Sequence, residues 1–166
     1  PQWCVALACA QQGDPVVGVI YGPASGEMFS ALRGGGAFVN GKPMRASAAA
    51  SLTEGSVMVG VSGRTDPKIA VNLVKAVVDQ GGMFFRNASG ALGLAYAASG
   101  RLLGYVEEHM NAWDCLAGLL MVEEAGGAIL PIDPGTALDE GTRVVAGGAA
   151  IYPALAAIAE RAFPPR

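Results

Sequence analysis

The chain has 166 residues, of which 52% are hydrophobic and 15% charged. That is enough apolar material for one well-buried domain, or for a large piece of a bigger one, and it excludes a disordered chain and two complete domains. A net charge of −3 with no run of Lys or Arg leaves no electrostatic footprint for nucleic acid or an acidic membrane surface, so neither is expected as a partner.

The opening PQWCVALACAQQG has no basic segment, and its apolar run is too short to cross a bilayer, so it reads neither as a signal peptide nor as an anchor. It reads as a strand, Trp3 to Cys9, beginning almost at Pro1, and a segment upstream is expected to be absent. The three cysteines, Cys4, Cys9 and Cys115, are an odd number without metal spacing, and a reducing cytoplasm is their simplest setting. A turn at Gly13-Asp14-Pro15 leads to a strand Val16 to Tyr21, a turn Pro23-Ala24-Ser25-Gly26, and a side-alternating strand Glu27 to Leu32. Gly34-Gly35-Gly36 breaks the pattern, and Ala37 to Val39 runs into the tight turn Asn40-Gly41. This is an antiparallel meander. The alanine- and serine-rich stretch 46–51 marks its boundary, dividing the chain into residues 1–50 and 51–166.

From Gly55 strands alternate with helices, as in a layered α/β unit. After the strand Ser56 to Val61, Asp66-Pro67 is a good cap and first-turn pair for a helix that carries Ile69, Leu73, Val74 and Val77 on one face and stops at Gly81-Gly82. A strand Met83 to Arg86 follows. Ser89 can cap a second helix bearing Leu92, Ala95 and Tyr96, closed by Gly100. Leu102 to Glu107 is a strand, and Asp114 opens a helix that Gly126-Gly127 ends. A last strand, Arg143 to Ala146, and a helix, Pro153 to Ala162, complete the chain.

On spacing alone, Asp114 is first a helix cap, accepting free backbone N–H groups and meeting the positive end of the dipole, worth about 1 kcal/mol. Yet Glu107 lies seven residues upstream at a strand end, and open α/β sheets bind ligands at such edges. His109, the only histidine, excludes a multi-histidine zinc site and is expected in a loop. Cys115, just inside an apolar helix, is expected in the core, Glu123 and Glu124 on a solvated helix face, and Ile132-Asp133-Pro134-Gly135-Thr136 as a loop with turn chemistry. Ser89-Gly90-Ala91 opens a helix whose N–H groups could receive an oxygen-rich ligand, although an ordinary cap explains it equally well. A carboxylate pair for hard cations beside such a helix start fits Mg²⁺-dependent phosphoryl chemistry without requiring it.

Asn111-Ala112-Trp113-Asp114-Cys115-Leu116-Ala117-Gly118, followed by Glu124-Ala125-Gly126-Gly127, closely resembles the second signature of the inositol monophosphatase family. The resemblance extends over Gly18-Val19-Ile20-Tyr21, Glu27-Met28-Phe29, Gly34 to Gly41, Arg86 to Gly100 and Val144-Val145-Ala146-Gly147. It implies an α/β (α+β) fold, the layered α-β-α-β-α sandwich, with the N-terminal layer incomplete. It implies that Asp114 is a ligand of the substrate-side Mg²⁺, that Glu107 accepts hydrogen bonds from a sugar or inositol hydroxyl, and that Ala88, Ser89 and Gly90 contact the same polyol through their backbone. The family usually has Gly where this chain has Ala88.

The family's first signature, Asp-Pro, an apolar residue, then Asp-Gly-Thr, does not occur here: Asp14-Pro15, Asp66-Pro67 and Asp133-Pro134 lack it. One carboxylate cannot hold Mg²⁺ tightly, since the ion prefers six oxygens in near-octahedral geometry. The 166-residue chain alone is therefore expected to bind Mg²⁺ weakly and to be inactive. For the complete protein the resemblance implies Mg²⁺-dependent hydrolysis of a phosphate monoester, inositol monophosphate first, by a cytoplasmic homodimer acting on a small phosphorylated polyol. Histidinol phosphate, fructose 1,6-bisphosphate and adenosine 3′,5′-bisphosphate stay open as substrates, as does a non-catalytic remnant of the fold.

Overall fold

Alternating apolar and polar positions, joined by turns that accept positive φ, build the first sheet. The computed structural model describes residues 2–133 and 135–165. Pro1, from which an absent upstream segment is expected, and Pro134, in the 132–136 loop, lie outside the described residues. Five antiparallel strands follow in sequence order: β1 (Val5–Gln11), β2 (Asp14–Gly22), β3 (Glu27–Leu32), β4 (Gly36–Val39) and β5 (Lys42–Pro43). The first hairpin turns at Gln12-Gly13, with φ of 53° and 88°, and not at Gly13-Asp14-Pro15. Two positive φ angles give a primed turn whose twist matches its strands, so Asp14 and Pro15 are drawn into β2. A bulge absorbs the mismatch: Cys9 faces Val17 while Ala10 faces Pro15. Asn40-Gly41, at 48° and 73°, closes the last hairpin in the same way.

The second sheet is mixed, in the order β7-β6-β8-β10-β9. Its strands are β6 (Ser56–Val59), β7 (Met83–Phe85), β8 (Gly104–Met110), β9 (Gly127–Ile129) and β10 (Thr142–Gly148). β6 runs parallel to β7 and β8, and β10 antiparallel to β8 and β9. The helices are α1 (Pro67–Asp79), α2 (Gly90–Ala98), α3 (Ala112–Glu124), the short α4 (Ala137–Glu140) and α5 (Tyr152–Ala162). Asp66 caps α1 by accepting from the Lys68 N–H at 2.9 Å, and Leu73 and Val77 pin the helix to the core. β9 and α4 had no separate pattern in the sequence.

α2 and α3 have no polar stripe. Leu92, Leu94 and Ala95 in one, and Cys115, Leu119, Leu120 and Met121 in the other, are all buried, as befits helices enclosed on every side. They lie between the sheets, α3 touching β1 to β4 on one side and β9 and β10 on the other. A Cβ on Gly18 of β2 would come within 2.8 Å of the Ala117 carbonyl oxygen, so the helix rests directly on strand backbone. α1 and α5 cover the far face of the second sheet. The described residues thus supply four layers of the expected sandwich: sheet, helices, sheet, helices. On the outer face of the first sheet Val5, Leu7 and Leu32 are 58%, 59% and 56% exposed, an apolar surface left open among the described residues. Among the described residues no helix is long and apolar enough to cross a membrane.

Glu123 and Glu124 are not simply solvated. Glu124 accepts the N–H groups of Gly34 and Gly36 at 2.8 and 2.9 Å, and Glu123 pairs with Arg33 at 2.8 Å. The glycine turn has no side chains to shield its N–H groups, and the end of α3 brings them a carboxylate. A second local constraint sits before α2, where Ala88 has φ 64°, a left-handed conformation that costs a Cβ-bearing residue about 1 kcal/mol.

Two stability changes follow from these contacts. Glu124→Ala removes two charge-assisted hydrogen bonds and lowers unfolding free energy by about 1–2 kcal/mol in urea titration. Ala88→Gly relieves the left-handed strain and raises it by about 1 kcal/mol; an unchanged or lower midpoint would show that Ala88 is unstrained.

Candidate functional site

β8 lies in the middle of the second sheet, paired with β6 on one side and β10 on the other, so whatever it carries is rigidly placed. Strand alternation puts Tyr105, Glu107 and His109 on one face. Tyr105 is 1% exposed and Glu107 8%, and the Tyr105 hydroxyl donates to Glu107 Oε2. Burial raises the pKa of Glu107 above the usual carboxylate range, helped by the negative charge of Asp114; the Tyr105 hydrogen bond and the positive charge of Arg86 pull it back. Burial, with Glu107 beside it, also holds the Tyr105 phenol well above its ordinary value, so it stays a donor.

Gly60, just past the end of β6, makes room for this pair. Its N–H continues the ladder to the Val106 carbonyl at 2.9 Å. A Cβ there would overlap the Glu107 carboxylate and stand 2.5 Å from the Tyr105 hydroxyl. Across the site, a Cβ on Gly93 of α2 would stand 2.9 Å from the Tyr105 ring.

Asp114 does not cap its helix. Asn111 holds the cap position of α3, and Asp114 is the third residue of the first turn. Its backbone N–H is used by the Asn111 carbonyl at 3.0 Å, while its carboxylate has no hydrogen-bond partner among the described residues. The helix dipole still favours its charge, but the side chain is left for the cavity in front of it.

That cavity measures about 570 Å³, and Glu107, Ala88, Ser89, Gly90 and Asp114 all line it. The structure therefore brings together the five residues to which the resemblance gives a role at the site. Ser89 stands at the cap position of α2 but makes no capping bond. Entry through left-handed Ala88 leaves its hydroxyl 3.6 Å from Cys4 Sγ, and its own N–H donates to Asn87 Oδ1 at 2.9 Å. His109 also lines the cavity, half-buried within β8 and not in a loop, because the strand runs on to Met110. Cys115 is in the core as expected, fully buried, with its thiol pushed up to about 12 by burial and by Asp114, so it is no nucleophile.

Tyr105, Gly60, Arg86 and Arg64 belong to the same cavity; Arg86 opens the stretch Arg86 to Gly100 that carries the resemblance, whereas the other three had no separate signal in the sequence, except that Tyr105 stands two residues before Glu107 in a strand. Two guanidinium groups suit an anionic oxygen cluster such as phosphate, and the carboxylates suit hydroxyls or a cation. Among the described residues no group of three or more His, Cys, Asp or Glu side chains is placed to hold a metal ion. Asp114 is a single open carboxylate, so the donor set of this chain does not by itself fit a resident Mg²⁺.

The model of the inositol monophosphatase family matches residues 1–162. The inositol-1-monophosphatase of Mesorhizobium japonicum is 38% identical over 158 residues, covering 93% of this chain and 59% of that protein. The Nus factor SuhB of Escherichia coli K12 is 33% identical over 159 residues, covering 95% and 60%. The inositol monophosphatase of Anabaena (Nostoc) sp. PCC 7120 shares the fold with a TM-score of 0.87 at 30% identity, over 99% of this chain and 69% of that one. The chain thus spans less than two thirds of either curated relative. A match along almost its whole length, in sequence and in fold, shows that the chain belongs to the inositol monophosphatase family.

Proposed function

We propose that the protein to which this chain contributes is a phosphatase that hydrolyses the phosphate monoester of a polyol, with inositol monophosphate as the first candidate. One observation carries this: a buried, hydrogen-bonded carboxylate, Glu107, and an open one, Asp114, face a single cavity that two arginines also line. Glu107 is suited to accept a hydrogen bond from a substrate hydroxyl, since a buried hydroxyl needs a partner. The start of α2 offers the Ser89 hydroxyl to the same ligand, and Arg86 and Arg64 favour its phosphate. Hydrolysis transfers the phosphoryl group to water and releases the polyol as an alcohol.

Mg²⁺ is the cofactor the family implies, with Asp114 as the one ligand this chain would contribute; the remaining oxygens would come from other groups. When bound, the ion supplies charge stabilisation to the phosphoryl transfer. Homodimeric assembly and a cytoplasmic setting go with the same proposal. The relatives called Nus factor SuhB suggest a second reading, a role apart from hydrolysis, which a variant at Asp114 that keeps its fold would separate from turnover.

In the complete protein, Asp114→Asn is expected to lower turnover of inositol 1-phosphate by about 100-fold or more while the thermal midpoint changes little; near-normal turnover would leave Asp114 without a catalytic role. Glu107→Gln tests the electrostatics in the absence of metal. The raised pKa means that the folded protein keeps the Glu107 proton to a higher pH than the unfolded chain, so ionising Glu107 costs stability as pH rises through the folded value. The Gln variant is therefore more stable than wild type at pH 7–8, and the difference disappears below the unfolded value of about 4.3. A gap that widens on acidification would contradict this.

A further inference from the structure

The grip on Glu107 has a direction. Tyr105 and Glu107 are two apart on β8, and the phenol spends its one proton on Oε2. Gly60 offers bare backbone where the carboxylate and the phenol tip meet, and any Cβ there would occupy their place. Gly90 and Gly93 of α2 close on the other side, where a Cβ would stand 3.0 Å from the Tyr105 hydroxyl and 2.9 Å from its ring. Tyr105 therefore has little room to rotate, and among the described residues its hydroxyl bonds to Glu107 alone. Among the described residues Oε1 accepts no hydrogen bond, and no buried side-chain oxygen is left unsatisfied, so Oε1 is the oxygen that the cavity reaches.

We infer that Tyr105 is a positioning residue for substrate choice: together with Gly60 it locks Glu107 so that a single oxygen, Oε1, points into the cavity and selects phosphate esters that carry a hydroxyl within its reach. The inference rests on the phosphatase proposal and deepens it. A freely rotating carboxylate would accept a hydroxyl from several directions and lose orientation entropy on each binding event. Fixing one oxygen makes the acceptor specific. A site built around such a fixed acceptor rejects a ligand that leaves it unpaired. The phenol needs no contact with the substrate for this, because it acts through Glu107.

The test compares two esters on the intact protein, inositol 1-phosphate and phenyl phosphate, the second having no hydroxyl to offer. Tyr105→Phe is expected to raise KM for inositol 1-phosphate by about tenfold relative to phenyl phosphate, with a smaller change in kcat. Gly60→Ala, which keeps the phenol but fills the seat of the carboxylate, is the second variant and shifts the ratio in the same direction. In a Glu107→Gln background, Tyr105→Phe should change the ratio by less than about twofold, since the two act as one unit. An equal loss on both esters, or a full loss that persists in the Gln background, would overturn the inference and make Tyr105 a structural residue only. If wild type turns over neither ester, the phosphatase proposal fails. The grip is then decided by calorimetric titration with myo-inositol: binding that Tyr105→Phe weakens at least fivefold supports it, and equal or absent binding overturns it.

Discussion

Enclosing two helices that have no polar face is the constraint on which the remaining architecture rests. α2 and α3 bury leucines, alanines and Met121 all round, so each must find apolar partners on two sides at once. One sheet cannot supply them. The meander covers one side and the mixed sheet the other, and Gly18 lets α3 settle onto the backbone of β2. Because β8 leads straight into α3 through Asn111, the chain that builds the central strand also brings the start of the buried helix to its edge. Glu107 and Asp114 come together for that reason.

The electrostatics of the site follow from the same burial. A carboxylate at 8% exposure is costly to ionise unless hydrogen bonds or positive charge compensate. Tyr105 and Arg86 both lower the pKa of Glu107, but burial and Asp114 outweigh them. Asp114 differs: it sits on the first turn of a helix, where the dipole favours negative charge, and its oxygens are unused. Two carboxylates seven residues apart therefore have different work. One is held in place by its neighbours, and the other keeps its oxygens open to the cavity.

Much of this was legible in the sequence, and the exceptions share a cause. Side alternation read β3 correctly to its ends, Asp66-Pro67 marked the start of α1, and the Trp-Asp and Glu-Ala-Gly-Gly stretches pointed to α3. What escaped is what depends on residues far apart in the chain. Glu124 reads as a solvated helix end until the Gly34–Gly36 turn is folded onto it. Tyr105 reads as one more apolar strand position, and its link to Gly60 exists only because β6 pairs with β8. The displaced turn at Gln12-Gly13 is a different kind of miss. Asp-Pro is the louder local signal, but the twist of the hairpin selects the pair of residues that can both hold positive φ. Asp114 was misplaced by cap chemistry in the same way, since Asn111 three residues earlier holds the cap position.

Ala88 connects the fold to the site most directly. Its left-handed φ turns the chain sharply into α2, placing Ala88, Ser89 and Gly90 on the lining of the cavity that Glu107 of β8 and Asp114 of α3 share. Glycine would hold the same angle without strain, yet a methyl group is present at the rim of a cavity whose floor is polar. Glycine would also widen the conformational range of the unfolded chain and of the helix start itself. The alanine therefore exchanges some stability for a stiffer entry to α2. That stiffness matters most at Gly90, where a Cβ would press on the Met110 methyl and stand 3.0 Å from the Tyr105 hydroxyl. A looser helix start would relax the grip on Tyr105, and through it the aim of Glu107.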